Sequence, residues 1–376
     1  MSGEPENLRL RDRLLGLDPV LDHLSRARAQ NRLAQSYLFL GPRGSGKTRL
    51  ALAFAQELFC GTVASPCGCC VPCRQVAHLT HPDLHLVVPA TREETESPDR
   101  MAALLAAYAA DPYHPPFGGA GESIGIDRVR ALKEEAAKAP VAGTRRVIVL
   151  VGVDRMTEQA AQAALKLVEE PPPETLLVLA AGDATDILPT LVSRCQRVRV
   201  PPLGRERLHR VLVDEFQIPG EDAYLLAALS GGSLGQALEL RGLDVRGLRD
   251  RVRAAFDFPP DSAATPAEVE RRVRALERAW TGDAARIGCE LLLAWLRDCV
   301  AARAGLEAAD LANPDLIDEA RRVGRALVPT EIGRRIRVVE AMAAALDRNC
   351  NPTLALHAAL WRTAGGSGSE EGFFRP

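Results

Sequence analysis

Lysine is nearly absent from this chain: four of 376 residues, at positions 47, 133, 138 and 166, against a large excess of arginine. The skew reads as coding bias, and a lysine that persists against it inside a recognisable motif, Lys47, stands out. Net charge is equally slight, −2 at pH 7 with a pI near 6.4. That excludes the strongly basic balance of a domain that grips nucleic acid by its phosphates, and any DNA contact is expected to be local. Long apolar runs are missing too; none approaches the roughly 20 residues that span a bilayer. With no secretory signal read at the start and no visible repeat, the chain is expected to be soluble and cytoplasmic, without a membrane partner. What it has in quantity is apolar content, 47%, enough at this length for two or three domains.

Two motifs carry most of the chemistry. The segment Gly41-Pro42-Arg43-Gly44-Ser45-Gly46-Lys47-Thr48 fits the phosphate-loop pattern and lies between an apolar run, Tyr37 to Leu40, and a helical pattern, Arg49 to Phe59, which is the context that motif requires. Gly41, Gly44 and Gly46 would let backbone N–H groups converge on phosphate oxygens. Lys47 would reach the β and γ phosphates, and the Thr48 hydroxyl would ligate magnesium. One helix later come Cys60, Cys67, Cys70 and Cys73. Four thiolates at this spacing can close a tetrahedron around a structural zinc ion. Cys69 is a spare thiol, and His78 or His81 could replace one ligand. A disulfide framework is the alternative, but a nucleotide-binding loop is expected in a reducing compartment. Cys195, Cys289, Cys299 and Cys350 are scattered and are expected to pack as small apolar groups.

Strand-like runs at Tyr37 to Leu40, Leu84 to Val88, Val147 to Val151 and Leu176 to Ala181 alternate with helical stretches such as Ile126 to Ala139 and Glu158 to Glu169. This alternation predicts an α/β domain over 1–202 with a parallel sheet, the cysteine module at 60–73 inserted in it and a mobile surface excursion at 89–122. Short helical segments then predict a small helical domain at 203–245, and amphipathic patterns a helical domain at 246–364. Residues 365–376 read as a disordered tail, and its Phe373-Phe374 pair as a loosely held terminal feature.

The phosphate loop, the cysteine module with His81-Pro82-Asp83, and then Asp154-Arg155-Met156-Thr157, Ala164-Leu165-Lys166, Glu169-Glu170-Pro171-Pro172 and Ser193-Arg194-Cys195 together resemble the bacterial clamp-loader family of the AAA+ class. The resemblance covers roughly residues 7 to 245. It implies a P-loop AAA+ domain, a small helical lid and an all-α collar through which subunits associate. It also implies a place in a hetero-oligomer with gamma or tau and delta subunits, acting through the assembly on a sliding clamp and primed DNA.

Within such a family an ATPase needs an acidic pair at the end of the third strand, one carboxylate for magnesium and one for the attacking water. Counting back from Asp154-Arg155-Met156, those positions are Val151 and Gly152. Asp154 is expected to cap the helix that begins near Thr157. The sensor positions of the resembling ATPases fall at Ala181-Gly182 and at Gly235 of Gly232-Ser233-Leu234-Gly235. Ser193-Arg194-Cys195, by contrast with these positions, is intact, and its resemblance implies that Arg194 reaches the γ-phosphate of a neighbouring subunit as an arginine finger. The pattern resembles the family's non-hydrolysing stator branch, delta-prime, with ATP or ADP and magnesium bound weakly if at all. The alternatives are an active gamma or tau type motor, with Asp154 or another carboxylate supplying the missing group, and an unrelated zinc-stapled nucleic-acid binder.

Overall fold

The structure is a computed structural model that describes residues 8–62, 65–117, 119, 121–143, 145–259, 264–348 and 350–365. The tail beyond Gly365, with Phe373 and Phe374, lies outside the described residues. The chain divides into two compact units, one reaching to Leu208 and including Gly232–Leu238, the other made of His209–Gly231 and the chain from Glu239 onward.

The first unit is built on a five-stranded, all-parallel sheet. In chain order its elements are α1 (Asp18–Ala29), β1 (Ser36–Leu40), α2 (Lys47–Phe59), α3 (Val71–Ala77), β2 (Leu84–Val87), α4 (Arg92–Glu96), α5 (Pro98–Ala110), α6 (Ile126–Ala136), β3 (Arg146–Val151), α7 (Glu158–Glu169), β4 (Thr175–Ala181), α8 (Pro189–Arg194) and β5 (Gln196–Arg199). The strands lie in the order β2-β3-β4-β1-β5. Strands covered on both faces read as continuous apolar runs, which is why β1, β3 and β4 were legible in sequence. Alternate residues feed two cores. Tyr37, Phe39, Val147, Val149, Leu176 and Val178 pack on the α2 side, and Leu38, Ile148, Leu150, Leu177 and Leu179 on the side of α6 and α7. The edge strand β5, with only Val198 buried, was not predicted.

Segment 89–122 is more integrated than a surface excursion. Thr91 and Glu94 form a capping box for α4, Ala90 bridges Ser123, and Leu104, Tyr108 and Phe117 are buried in the α2-side core.

The second unit is helical. Its helices include α10 (Gly220–Leu229), α12 (Val245–Phe256), α13 (Pro266–Glu277), α14 (Gly282–Arg303), α15 (Ile317–Ala326), α16 (Pro329–Asp347) and α17 (Pro352–Thr363), while α9 (Arg205–Asp214) and α11 (Leu234–Arg241) each begin in the first unit and end in the second. Close crossings depend on glycine: a Cβ on Gly324 of α15 would lie 2.3 Å from the carbonyl oxygen of Cys299 on α14. Buried Arg249 holds Asp315 with two bonds of 3.0 and 2.8 Å, a fork that matches carboxylate geometry. Among the described residues no helix is long and apolar enough to cross a membrane.

Candidate nucleotide loop, thiolate cluster and finger

The phosphate loop occupies the turn from the C-terminal end of β1 into α2. Gly44 and Gly46 have φ of +73° and +86°, the left-handed region that glycine enters without strain. A Cβ on Gly41 would lie 2.2 Å from the Val200 carbonyl oxygen, and one on Gly44 would lie 2.2 Å from the Ser233 hydroxyl. The Lys47 ammonium donates to the Gly41 and Pro42 carbonyls at 2.6 and 2.7 Å. Burial lowers its pKa to about 8, against the field of Asp154, which raises it. The Thr48 hydroxyl is within hydrogen-bonding reach of the buried Tyr108 phenol, whose own pKa burial pushes up to about 12. The Arg49 guanidinium lies 4.5 Å from the centre of the Tyr113 ring. Segment 89–122 thus supplies two aromatic groups around the start of α2.

The acidic pair of a hydrolytic site has no counterpart in the two positions read for it. Val151 packs against the α2-side core, and Gly152 turns the chain with φ +68°. Asp154 is not the cap of α7: the Thr157 hydroxyl accepts from the Ala160 amide and fills that role. Asp154 lies instead in the short turn Val153–Arg155, where its carboxylate would stand 3.7 Å from a Cβ on Gly182 and acts electrostatically on Lys47. At the other sensor position, a Cβ on Gly235 would come 3.0 Å from the Gly44 Cα. The Gly235 amide donates to the Gly44 carbonyl at 3.4 Å, so a long side chain there would first have to displace the loop.

The sulfur atoms of Cys60, Cys67, Cys70 and Cys73 all lie within 4.8 Å of one another. Cys67 and Cys73 are 3.9 Å apart, Cys60 and Cys70 4.0 Å. A tetrahedral zinc with Zn–S near 2.3 Å requires S···S of roughly 3.8 Å, so the four fit such an ion. The Cys67 and Cys70 amides donate to the sulfurs of Cys60 and Cys67 at 3.4 and 3.3 Å, as thiolates require. Amides of Cys69 and then Cys70 lower the Cys67 pKa to about 5. The cluster can therefore hold a metal such as zinc. Cys69 is exposed. His81 is not a ligand; its ring stacks on Phe59 at 3.9 Å and accepts the Asp83 amide. Cys60 ends α2 while the phosphate loop begins it. Thirteen helical residues separate them, about 20 Å, so the cluster cannot touch a nucleotide on the loop. Of the remaining cysteines, Cys195, Cys289 and Cys299 are buried and Cys350 is half-buried.

Arg194 is the last residue of α8 and immediately precedes Cys195 and β5. Since β5 runs parallel to β1 with Gln196 paired to Tyr37, Arg194 lies at the edge where the strands begin, and the phosphate loop at the edge where they end. A strand's length, ~16 Å at about 3.3 Å per residue, separates them. Arg194 Nε contacts Glu169 Oε1 at 2.8 Å and Nη1 donates to the Thr190 carbonyl at 3.1 Å; the Ser193 hydroxyl donates to the same carbonyl at 3.0 Å. Burial pushes the Cys195 thiol up to about 11, so it is a neutral packing group.

The sequence model of the DNA polymerase III, delta subunit, family matches residues 16–204, just over half of the chain. The chain belongs to this family. Among its relatives, DNA polymerase III subunit delta' of Pseudomonas aeruginosa is 36% identical over 231 residues, 60% of this chain and 60% of that protein. Subunit delta' of Bacillus subtilis is 31% identical over 212 residues, 56% of this chain and 55% of that protein. DNA polymerase III subunit tau of Bacillus subtilis matches more distantly, 25% over 234 residues, 60% of this chain and 36% of that protein. The matched part of the chain thus spans a little over half the length of the two delta' relatives.

Within this DNA polymerase III family member, two site features were missed in sequence. One is the Ser233 hydroxyl bond to the Arg43 carbonyl, a contact across 190 positions. The other is Asp83, whose carboxylate accepts the amides of Val141, Ala142 and Gly143.

Proposed function

We propose that this chain is the non-hydrolysing delta-prime stator of a bacterial clamp loader, an AAA+ subunit that donates Arg194 to the triphosphate bound by a neighbouring gamma or tau motor. The observation that carries the reading is the separation of Arg194 from its own phosphate loop. It sits at the opposite edge of the sheet, so a γ-phosphate within its reach has to belong to another subunit. A guanidinium delivered in trans stabilises the charge that spreads over the transferring phosphoryl oxygens. Apolar Val151 and the bare turn at Gly152 support the second half of the reading, since neither can hold magnesium or polarise water. The phosphate loop then serves as a weak site for ATP or ADP, with Lys47 and the loop amides as its ligands, and the four cysteines hold a structural zinc ion. In this reading residues 203–245 act as the lid and 246–364 as the collar that joins the subunits. Delta, the sliding clamp and primed DNA are the remaining partners.

The test is hydrolysis by a loader reconstituted with gamma or tau and delta. Arg194→Ala should lower ATP turnover at the neighbouring site at least tenfold while the assembly stays intact, and the isolated chain should release no phosphate. Unchanged turnover removes the finger.

One observation favours a second reading, an active motor: Asp154 acts on Lys47 and adjoins Gly182. If the isolated chain hydrolyses ATP and Asp154→Asn abolishes that turnover, the motor reading replaces the stator.

A further inference from the structure

The geometry points to Glu169 as the positioning residue for Arg194, an inference that rests on the finger reading above. Glu169 is the C-terminal residue of α7, where the partial negative charge of the helix end opposes a carboxylate. An acidic residue at that place is stabilised by a cation, and the one it meets is Arg194, 2.8 Å away. Arg194 in turn ends α8, where its charge is favourable. The pair therefore joins the ends of two helices at the edge of the sheet where β5 begins.

How the guanidinium is held matters more than that it is paired. Glu169 takes Nε, the inner nitrogen, and the Thr190 carbonyl takes one hydrogen of Nη1. A guanidinium carries five N–H groups, so its outer edge keeps donors for phosphate oxygens while the inner edge is anchored. An arginine fixed at both Nε and Nη1 loses less rotamer freedom on meeting a phosphate than one on a free stem. Glu169 touches no substrate in this scheme; it acts through Arg194. Both side chains are about two-fifths exposed, at 41% and 42%, so the anchor is an aqueous one of modest strength.

The experiment measures ATP hydrolysis by the reconstituted loader carrying wild-type chain, Glu169→Ala, Glu169→Gln, Arg194→Ala or the double variant. A surface ion pair of this kind corresponds to about two- to fivefold in rate. Glu169→Ala should lower kcat by that factor with KM for ATP unchanged, because the finger acts on the transition state. Glu169→Gln, which keeps an acceptor for Nε, should recover part of the loss, and the double variant should match Arg194→Ala alone. If Arg194→Ala lowers kcat but Glu169→Ala leaves it unchanged or raises it, Glu169 does not position the finger and the stator reading stands. If Arg194→Ala itself has no effect, the finger fails and this inference fails with it.

Discussion

Ser233 donates its hydroxyl to the carbonyl of Arg43 at 2.7 Å, tying the apex of the phosphate loop to a residue 190 positions further along the chain. The same oxygen accepts the Gln236 amide at 3.1 Å and so caps the start of α11. One side chain holds both the loop and the helix that leans on it.

Ser233→Ala should therefore cost about 1–2 kcal/mol, the sum expected from a lost cap and a lost hydrogen bond. It should also speed hydrogen exchange of the amides between Gly44 and Lys47. Gly44→Ala should act in the same direction and more strongly, since its Cβ would lie 2.2 Å from the Ser233 hydroxyl at φ +73°. Unchanged exchange in both variants would mean that the loop holds its shape without this tie.

Asp83 gives a prediction about acid stability. Burial alone pushes its carboxyl up, but the amides of Val141, Ala142 and Gly143, at 2.6, 2.8 and 3.1 Å, with His81 nearby, outweigh burial and hold it below the usual 3.8. A carboxylate whose folded pKa is depressed contributes its stability above the unfolded value and loses it as pH falls through the folded one. Asp83 should support the 141–143 loop in full above about pH 4 and progressively less below it. Asp83→Asn should destabilise the chain by about 1.5–3 kcal/mol at pH 7, because at least one of the three loop amides then loses a charged acceptor. The gap between variant and wild type should narrow as pH drops below 4. A gap that stays constant down to pH 2 would assign the effect to packing.

These two residues also mark what the sequence could and could not reveal. The parallel sheet was legible because buried strands such as β4, from Leu176 to Ala181, are apolar without interruption, and the loop and thiolate cluster because their chemistry fixes residue type at short spacing. Strand β5 escaped because only Val198 of its four residues is buried. Asp154 was misassigned because Asp and Thr are both favoured as caps, and residue type alone does not say which of Asp154, four residues ahead of α7, and Thr157, directly before it, takes that place. Only the backbone turn at Gly152 directs one to Gly182 and leaves the other to α7. The contacts of Ser233 with Arg43 and of Asp83 with residues 141–143 cross 190 and about 60 positions. No local pattern encodes such a distance.

Removing metal should separate the thiolate cluster from the rest of the fold. A closed four-thiolate site contributes folding free energy, since the unfolded chain holds no such arrangement of ligands. Metal analysis of protein purified without chelator should find one zinc per chain, and Cys67→Ser or Cys73→Ser should lose it. Stripping the ion should lower the stability of the first unit and expose the 60–73 segment to proteolysis. Nucleotide affinity should change little, because α2 separates Cys60 from the loop by 13 residues. One zinc per chain in both variants would show that the metal is held elsewhere.

If the phosphate loop binds nucleotide as proposed, Lys47 should make that binding depend on pH in a defined direction. Its ammonium is lowered to about 8 by burial, with Asp154 partly opposing the shift. Phosphate is bound by the charged form, and a bound phosphate raises the pKa of the lysine that holds it. Binding should then take up close to one proton above pH 8, and the apparent affinity for ATP or ADP should fall about tenfold between pH 7 and pH 9. Titration with a fluorescent ATP analogue at several pH values reads this slope, and calorimetry in buffers of different ionisation heat counts the proton. Lys47→Ala should abolish measurable binding. Lys47→Arg, charged throughout this range, should bind more weakly than the wild type at pH 7 but without the slope, because its rigid fork cannot reproduce both bonds to Gly41 and Pro42. A flat profile in the wild-type chain would mean that the ammonium stays charged to pH 9, with the field of Asp154 outweighing burial.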